Sequence, residues 1–136
     1  MHLNWLAILL ATISSMIVGT VYYLPKVFGN RFQALTGADP TKPKSRGLAY
    51  GGSFFGSAIT AIVIAGLADI VARSFDAPFL GTAVALAAIL WLSFTALRML
   101  IHETFESRDL RIWAITIFHE LITVVVMAVI IGLLGR

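Results

Sequence analysis

Apolar residues run almost unbroken through four stretches of the chain, Leu3–Leu24, Leu48–Val71, Pro78–Leu100 and Arg111–Leu134. Polar and charged residues collect between them. Each stretch is near or above the ~20 residues that an α-helix needs to cross about 30 Å of hydrocarbon. The pattern predicts an all-α fold: an integral membrane four-helix bundle, one four-span domain over residues 1–136. The Ala72–Ala77 link is short, so spans two and three are expected to form an antiparallel hairpin. Pro78 suits a first helical turn, where its missing N–H costs nothing.

Between spans one and two, Phe28, Phe32 and Leu35 recur at helical spacing beside Lys26 and Arg31. This predicts a short interfacial helix after the first span. The run from Gly37 to Lys44 is turn-rich and polar. The first stretch itself is longer than a signal-peptide core, and only Met1 and His2 precede it. It is expected to be a retained span.

Basic residues set the expected orientation. Lys26, Arg31, Lys42, Lys44 and Arg46 lie between spans one and two, and Arg98, Arg108 and Arg111 between three and four. Only Arg73 and Arg136 lie on the other side. Short loops rich in Lys and Arg stay cytoplasmic. Both long loops are therefore expected to face the cytoplasm of a bacterial inner membrane, with N and C termini periplasmic.

Composition narrows the chemistry. Hydrophobic residues make up 59% and charged residues 12%, about half the charge of a typical soluble domain. The net charge of +3 is accounted for by loop topology, so no nucleic-acid partner is expected. Absence of cysteine excludes disulfides and thiolate metal ligands. No cofactor is expected. In the third loop, His102-Glu103 begins like a zinc-protease motif, but residue 106 is Glu. The second His is missing, and no metal site is expected.

Small residues mark faces for helix contact. Asn4, Ala11, Ser15 and Tyr22 share one face of span one, with Gly19 beside it. In span two, Gly47, Gly51, Gly52 and Gly56 give small-xxx-small pairs, and Ser57, Ala61 and Ala65 add a ridge. Such residues let backbones approach closely. Gly19, Gly52 and Gly56 are thus candidate packing positions, within the chain or between subunits. Asp69 and Arg73 are spaced to pair along the helix. Trp91 lies near mid-depth, and its indole N–H calls for a partner, with Ser93 and Thr95 nearby.

Span four carries the one polar constellation at depth. His119 lies eight residues beyond Arg111, about 12 Å along the axis. Thr116, Glu120 and Thr123 occupy a narrow arc that His119 borders. A carboxylate in hydrocarbon is costly unless paired, hydrated or protonated, so Glu120 is expected to face the bundle interior. Two readings stay open: structural glue, or a proton or cation site.

Several motifs in order complete the pattern. Asn4-Trp5-Leu6-Ala7 opens the first span, and Gly19, Tyr22-Tyr23, Pro25 and Phe28-Gly29 close it. Trp91-Leu92-Ser93-Phe94 lies in span three, Phe105-Glu106-Ser107-Arg108 precedes span four, and His119 lies inside it. Over essentially the whole chain this resembles the bacterial membrane family called domain of unknown function 1761. Where the family usually has Trp-Tyr-Ser-Pro, this chain has Tyr22-Tyr23-Leu24-Pro25, and Glu120 matches no acidic position of the family pattern. The resemblance implies a four-span membrane protein and no particular reaction.

The leading expectation is a non-enzymatic structural or accessory protein. It would pack with itself as a homo-oligomer, or in a larger membrane complex, with membrane lipid around it. The alternative is an oligomeric proton-coupled small-molecule transporter using Glu120 and His119. What separates them is whether Glu120 lines a cavity or is capped by packed neighbours.

Overall fold

The computed structural model describes residues 3–135, and among these all regular structure is helical. The orientation read from Arg136 and the reading of Met1 and His2 fall outside the described residues. Helix α1 spans Trp5–Tyr22. A π-helical turn, Pro25–Gly29, leads into α2, Asn30–Thr36. Helix α3 spans Arg46–Ser74 and α4 spans Phe79–Leu90. A π-helical stretch, Trp91–Ala96, joins α4 to α5, Leu97–Phe105, and α6 spans Leu110–Leu134. Four continuous helical rods, Trp5–Tyr22, Arg46–Ser74, Phe79–Phe105 and Leu110–Leu134, are long and apolar enough to cross a membrane.

Local chemistry sets the helix ends. Asn4 caps α1, its side-chain oxygen accepting from the N–H groups of Leu6 and Ala7. Ser45 and Asp109 do the same for α3 and α6. Such caps satisfy donors that the first turn leaves open. At the other ends, Asp76 and Ser107 adopt left-handed backbone (φ 50° and 53°). Beyond each, a backbone N–H reaches back to close the helix: Ala77 to Ala72, and Arg108 to Glu103.

The third span therefore runs further than the sequence pattern implies. His102 and Glu103 sit in α5, and the loop shrinks to the residues around Ser107. No helix breaker intervenes before Ser107, and Glu103 is buried, with Arg108 Nη1 3.3 Å from its Oε1. The Asp69–Arg73 pair forms as expected, with Arg73 Nε donating to Asp69 Oδ1 at 2.8 Å.

The rods form a ring in which α1 packs beside α3 and α6, and α4 beside the same two. The core gathers toward the end where the chain termini meet. Ile8 and Ala11 of α1, Ala61, Ile64, Ala65, Ala68 and Ala72 of α3, Ala83 and Ala87 of α4, and Met127, Ala128 and Ile131 of α6 all join it. Alanines bring the backbones close, and dispersion between them is the main attraction available where lipid is as apolar as the side chains. At this end Asn4 Nδ2 donates to the Leu134 carbonyl at 2.6 Å.

Two half-buried tryptophans, Trp91 and Trp113, find carbonyls on a neighbouring rod. Trp91 Nε1 donates to Ile117 O at 2.8 Å, and Trp113 Nε1 to Ala96 O at 2.9 Å. Ser93 and Thr95 are not the Trp91 partners. Ser93 faces outward, whereas a helical carbonyl keeps a second lone pair free for a donor from across the interface.

Gly19 lies at a close contact, as expected. A Cβ there would stand 3.4 Å from His119 Nε2. The expectation of intramolecular packing at Gly52 and Gly56 is overturned: a Cβ at either meets nothing within 4 Å, and the same holds at Gly47 and Gly51. The reason is the chain path. Helix α1 ends at Tyr22, turns at Pro25 and sends α2 onto α6. Among the described residues, the glycine face of the first turns of α3 is left open. A tight glycine contact between two rods lies instead at Gly132, where a Cβ would come within 2.8 Å of the Leu80 Cα on α4.

Candidate functional site

Where α3 stands away from α1, a lateral cleft of about 570 Å³ opens. Its walls come from the second half of α1 (Ser15, Gly19, Thr20, Tyr23), the first half of α3 (Tyr50, Ser53, Ser57, Thr60) and the middle of α6 (His119, Glu120, Thr123). Pro40, Thr41 and Pro43 of the α2–α3 loop border one end. Prolines restrict that loop, and Asp39 pins it by accepting from the Thr41 hydroxyl (2.7 Å) and backbone N–H (2.9 Å). The same two bonds, the side-chain one first, hold the exposed Asp39 carboxyl below the usual carboxylate range.

His119 is held on several sides. Its ring centroid lies 5.1 Å from those of both Tyr22 and Tyr23. Tyr22 is fixed in turn: its hydroxyl donates to Ile115 O at 2.6 Å, and its ring stacks on Phe28 at 4.6 Å. The tyrosine pair is therefore a packed wedge against His119. His119 Nδ1 lies 3.3 Å from Glu120 Oε1, and Nε2 lies 3.4 Å from Thr123 Oγ1. When Nδ1–H donates to Glu120, a neutral imidazole leaves Nε2 as an acceptor. In that state the ring orients the Glu120 carboxyl and adds no charge of its own.

Glu120 is neither lipid-bare nor capped. Its side chain is 41% exposed, toward the cleft it lines. Of the arc expected on span four, His119, Glu120 and Thr123 come together here. Thr123 is buried, its hydroxyl donating to the His119 carbonyl at 2.9 Å. Thr116 is not on the cleft wall. Its hydroxyl bonds Ile112 O at 2.9 Å, and it interacts with Tyr23.

Sequence reasoning missed the α3 wall. Ser53, Ser57 and Thr60 are spaced to share one helical face, and that hydroxyl stripe was the available signal. The lining holds one carboxylate, one imidazole and no Lys or Arg. Among the described residues, no three His, Asp or Glu side chains lie together as a metal would need.

A second cleft, about 600 Å³, lies between α2 and α6. Its walls are mostly apolar, from Tyr22, Phe28, Leu35, Ile115 and Phe118, with Arg31 and Arg111 at its edge. Arg111 is already engaged by Asp109, with Nη2 2.6 Å from Oδ2.

Residues 6–132 match the family described as Protein of unknown function (DUF1761), and the chain belongs to that family. No curated protein and no solved structure matches it.

Proposed function

We propose that this member of the family is a multi-pass protein of the bacterial inner membrane that binds a small molecule at the Glu120 cleft and couples its passage to a proton. Both loops rich in Lys and Arg face the cytoplasm in this reading, and both termini the periplasm. The observation that carries it is the position of Glu120: beside His119, on the wall of a polar cleft among apolar rods. A carboxylate there is one of few groups able to exchange a proton at membrane depth. Four helices enclose only a lateral cleft, so a complete path requires a second copy of the chain. No chemical step on the ligand is part of this reading.

The test is charge movement in proteoliposomes on a solid support. A panel of small cations, zwitterions and anions is applied under an imposed pH gradient. At least one solute should evoke a current that Glu120→Gln abolishes while circular dichroism stays unchanged. Absence of any Glu120-dependent current across the panel would leave transport without support.

The second reading is an accessory subunit of a larger membrane complex. One observation favours it: the first turns of α3 present Leu48, Phe54 and Phe55 exposed, and a Cβ at Gly51 or Gly52 would meet no described residue within 4 Å. Copurification from native membranes in mild detergent, with mass spectrometry of what stays bound, tests it.

A further inference from the structure

The cleft also constrains the charge of what it takes. Among the described residues, Glu120 is the only carboxylate on its wall, and no Lys or Arg lines it. The titratable groups facing Glu120 are His119 from its own helix, Tyr23 from the end of α1 and Tyr50 from α3. None supplies a permanent positive charge. The loop contributes Pro40, Thr41 and Pro43, all uncharged. Lys42 beside them is turned to solvent, 78% exposed and 4.0 Å from Asp39. With the His119 ring neutral, the ionised site carries one negative charge that no fixed cation on the wall offsets, in surroundings where charge is poorly solvated.

Two kinds of partner can neutralise it: a proton or a cation. A bare metal ion fits poorly. Hard cations want six or more oxygen ligands at short range, usually with several carboxylates. Here there is one carboxylate, and a space of about 570 Å³ is of the size that holds drug-sized organic ligands. Two tyrosine rings border that space, and aromatic rings favour organic cations. Anions find no fixed positive charge on the wall.

We propose that the cleft takes a monovalent organic cation with an apolar body, such as an ammonium or phosphonium, and that this cation and a proton compete for Glu120. Cation entry releases the proton and proton entry releases the cation, so exchange follows from sharing a single carboxylate. This rests on reading the cleft as a ligand site.

The experiment uses the full chain in neutral detergent and two probes of one shape and opposite charge, tetraphenylphosphonium and tetraphenylborate. Saturable binding is measured by equilibrium dialysis above the detergent background. Tetraphenylphosphonium should bind, and Glu120→Gln should weaken it on the order of tenfold or more, as loss of a charged partner does. Binding to the unaltered protein should also weaken as pH falls, and Glu120→Gln should remove that dependence, as competition for a single carboxylate requires. Tetraphenylborate should show no saturable binding.

Equal binding of both probes, or tetraphenylphosphonium binding indifferent to Glu120→Gln and to pH, overturns the proposal. If Glu120→Gln does not fold, the contrast between the two probes on the unaltered protein decides alone. Glu120-dependent binding of a neutral or anionic solute sinks the cation inference but leaves the ligand-site reading standing. If neither probe nor the solute panel binds in a Glu120-dependent way, both fall.

Discussion

The two halves of α3 are built from similar small residues and meet opposite fates. From Ala61 onward the helix is locked, with Ala61, Ala65, Ala68 and Ala72 buried against α1 and α4. Before Ala61 it is bare. Gly47, Gly51, Gly52 and Gly56 touch nothing across the helix, and Ser53, Ser57 and Thr60 line the cleft. Small residues permit close approach without causing it. What differs is the neighbour: α1 packs against the second half and stands across the cleft from the first. Gly132 makes the same point from α6, because α4 passes directly over it.

The largest effect should come from filling the tight contact. Gly132→Leu would drive a side chain into the α4 backbone at Leu80 and should cost about 3 kcal/mol, read as a lower Tm in detergent. An unchanged Tm would break the contrast outright. Ala68→Leu, in the locked half of α3, should cost about 2 kcal/mol by the same overpacking. Trp91→Phe removes the bond to the Ile117 carbonyl on α6 and should cost about 1 kcal/mol, again as a fall in Tm.

Gly52→Leu, in the open half, should shift monomer stability by no more than about 0.5 kcal/mol. Light scattering sharpens this prediction. A loss of stability accompanied by a lower assembly mass would mean that a second copy covers this face.

Smallest is a pH effect at the start of α6. The Arg111 side chain first, and its backbone N–H second, hold the exposed Asp109 carboxyl below its ordinary value of 3.8. A lowered folded value means the stabilisation is complete above the unfolded value and lost as pH falls through the folded one. Acid unfolding should therefore show a shallow decline below about pH 4. Asp109→Asn, which still caps the helix, should flatten it.

Much of the fold was legible because it is local. A run of apolar residues reports its own preference for hydrocarbon, and Asn4, Ser45 and Asp109 mark helix starts within three residues of themselves. The Asp69–Arg73 pair and the Gly19 contact were readable for the same reason. The third span ran past its apolar stretch because Glu103 and Arg108 neutralise each other near the helix end. The Trp91 partner was missed because it is a backbone carbonyl on another rod, and any sequence supplies carbonyls.

Four apolar rods, a short helix after the first of them, an imidazole beside a carboxylate in the middle of the fourth, and the family are determined by sequence alone. Each depends on residue type and spacing along one segment. The tertiary structure alone decided that Glu120 opens onto a cleft, that hydroxyls of α3 face it, and that Gly132 rather than Gly52 is the tight contact. These depend on where the chain goes after α1. Pro25 and the π-helical turn send it onto α6, withdrawing a neighbour from α3, and a residue cannot report the absence of a neighbour that another segment would have supplied.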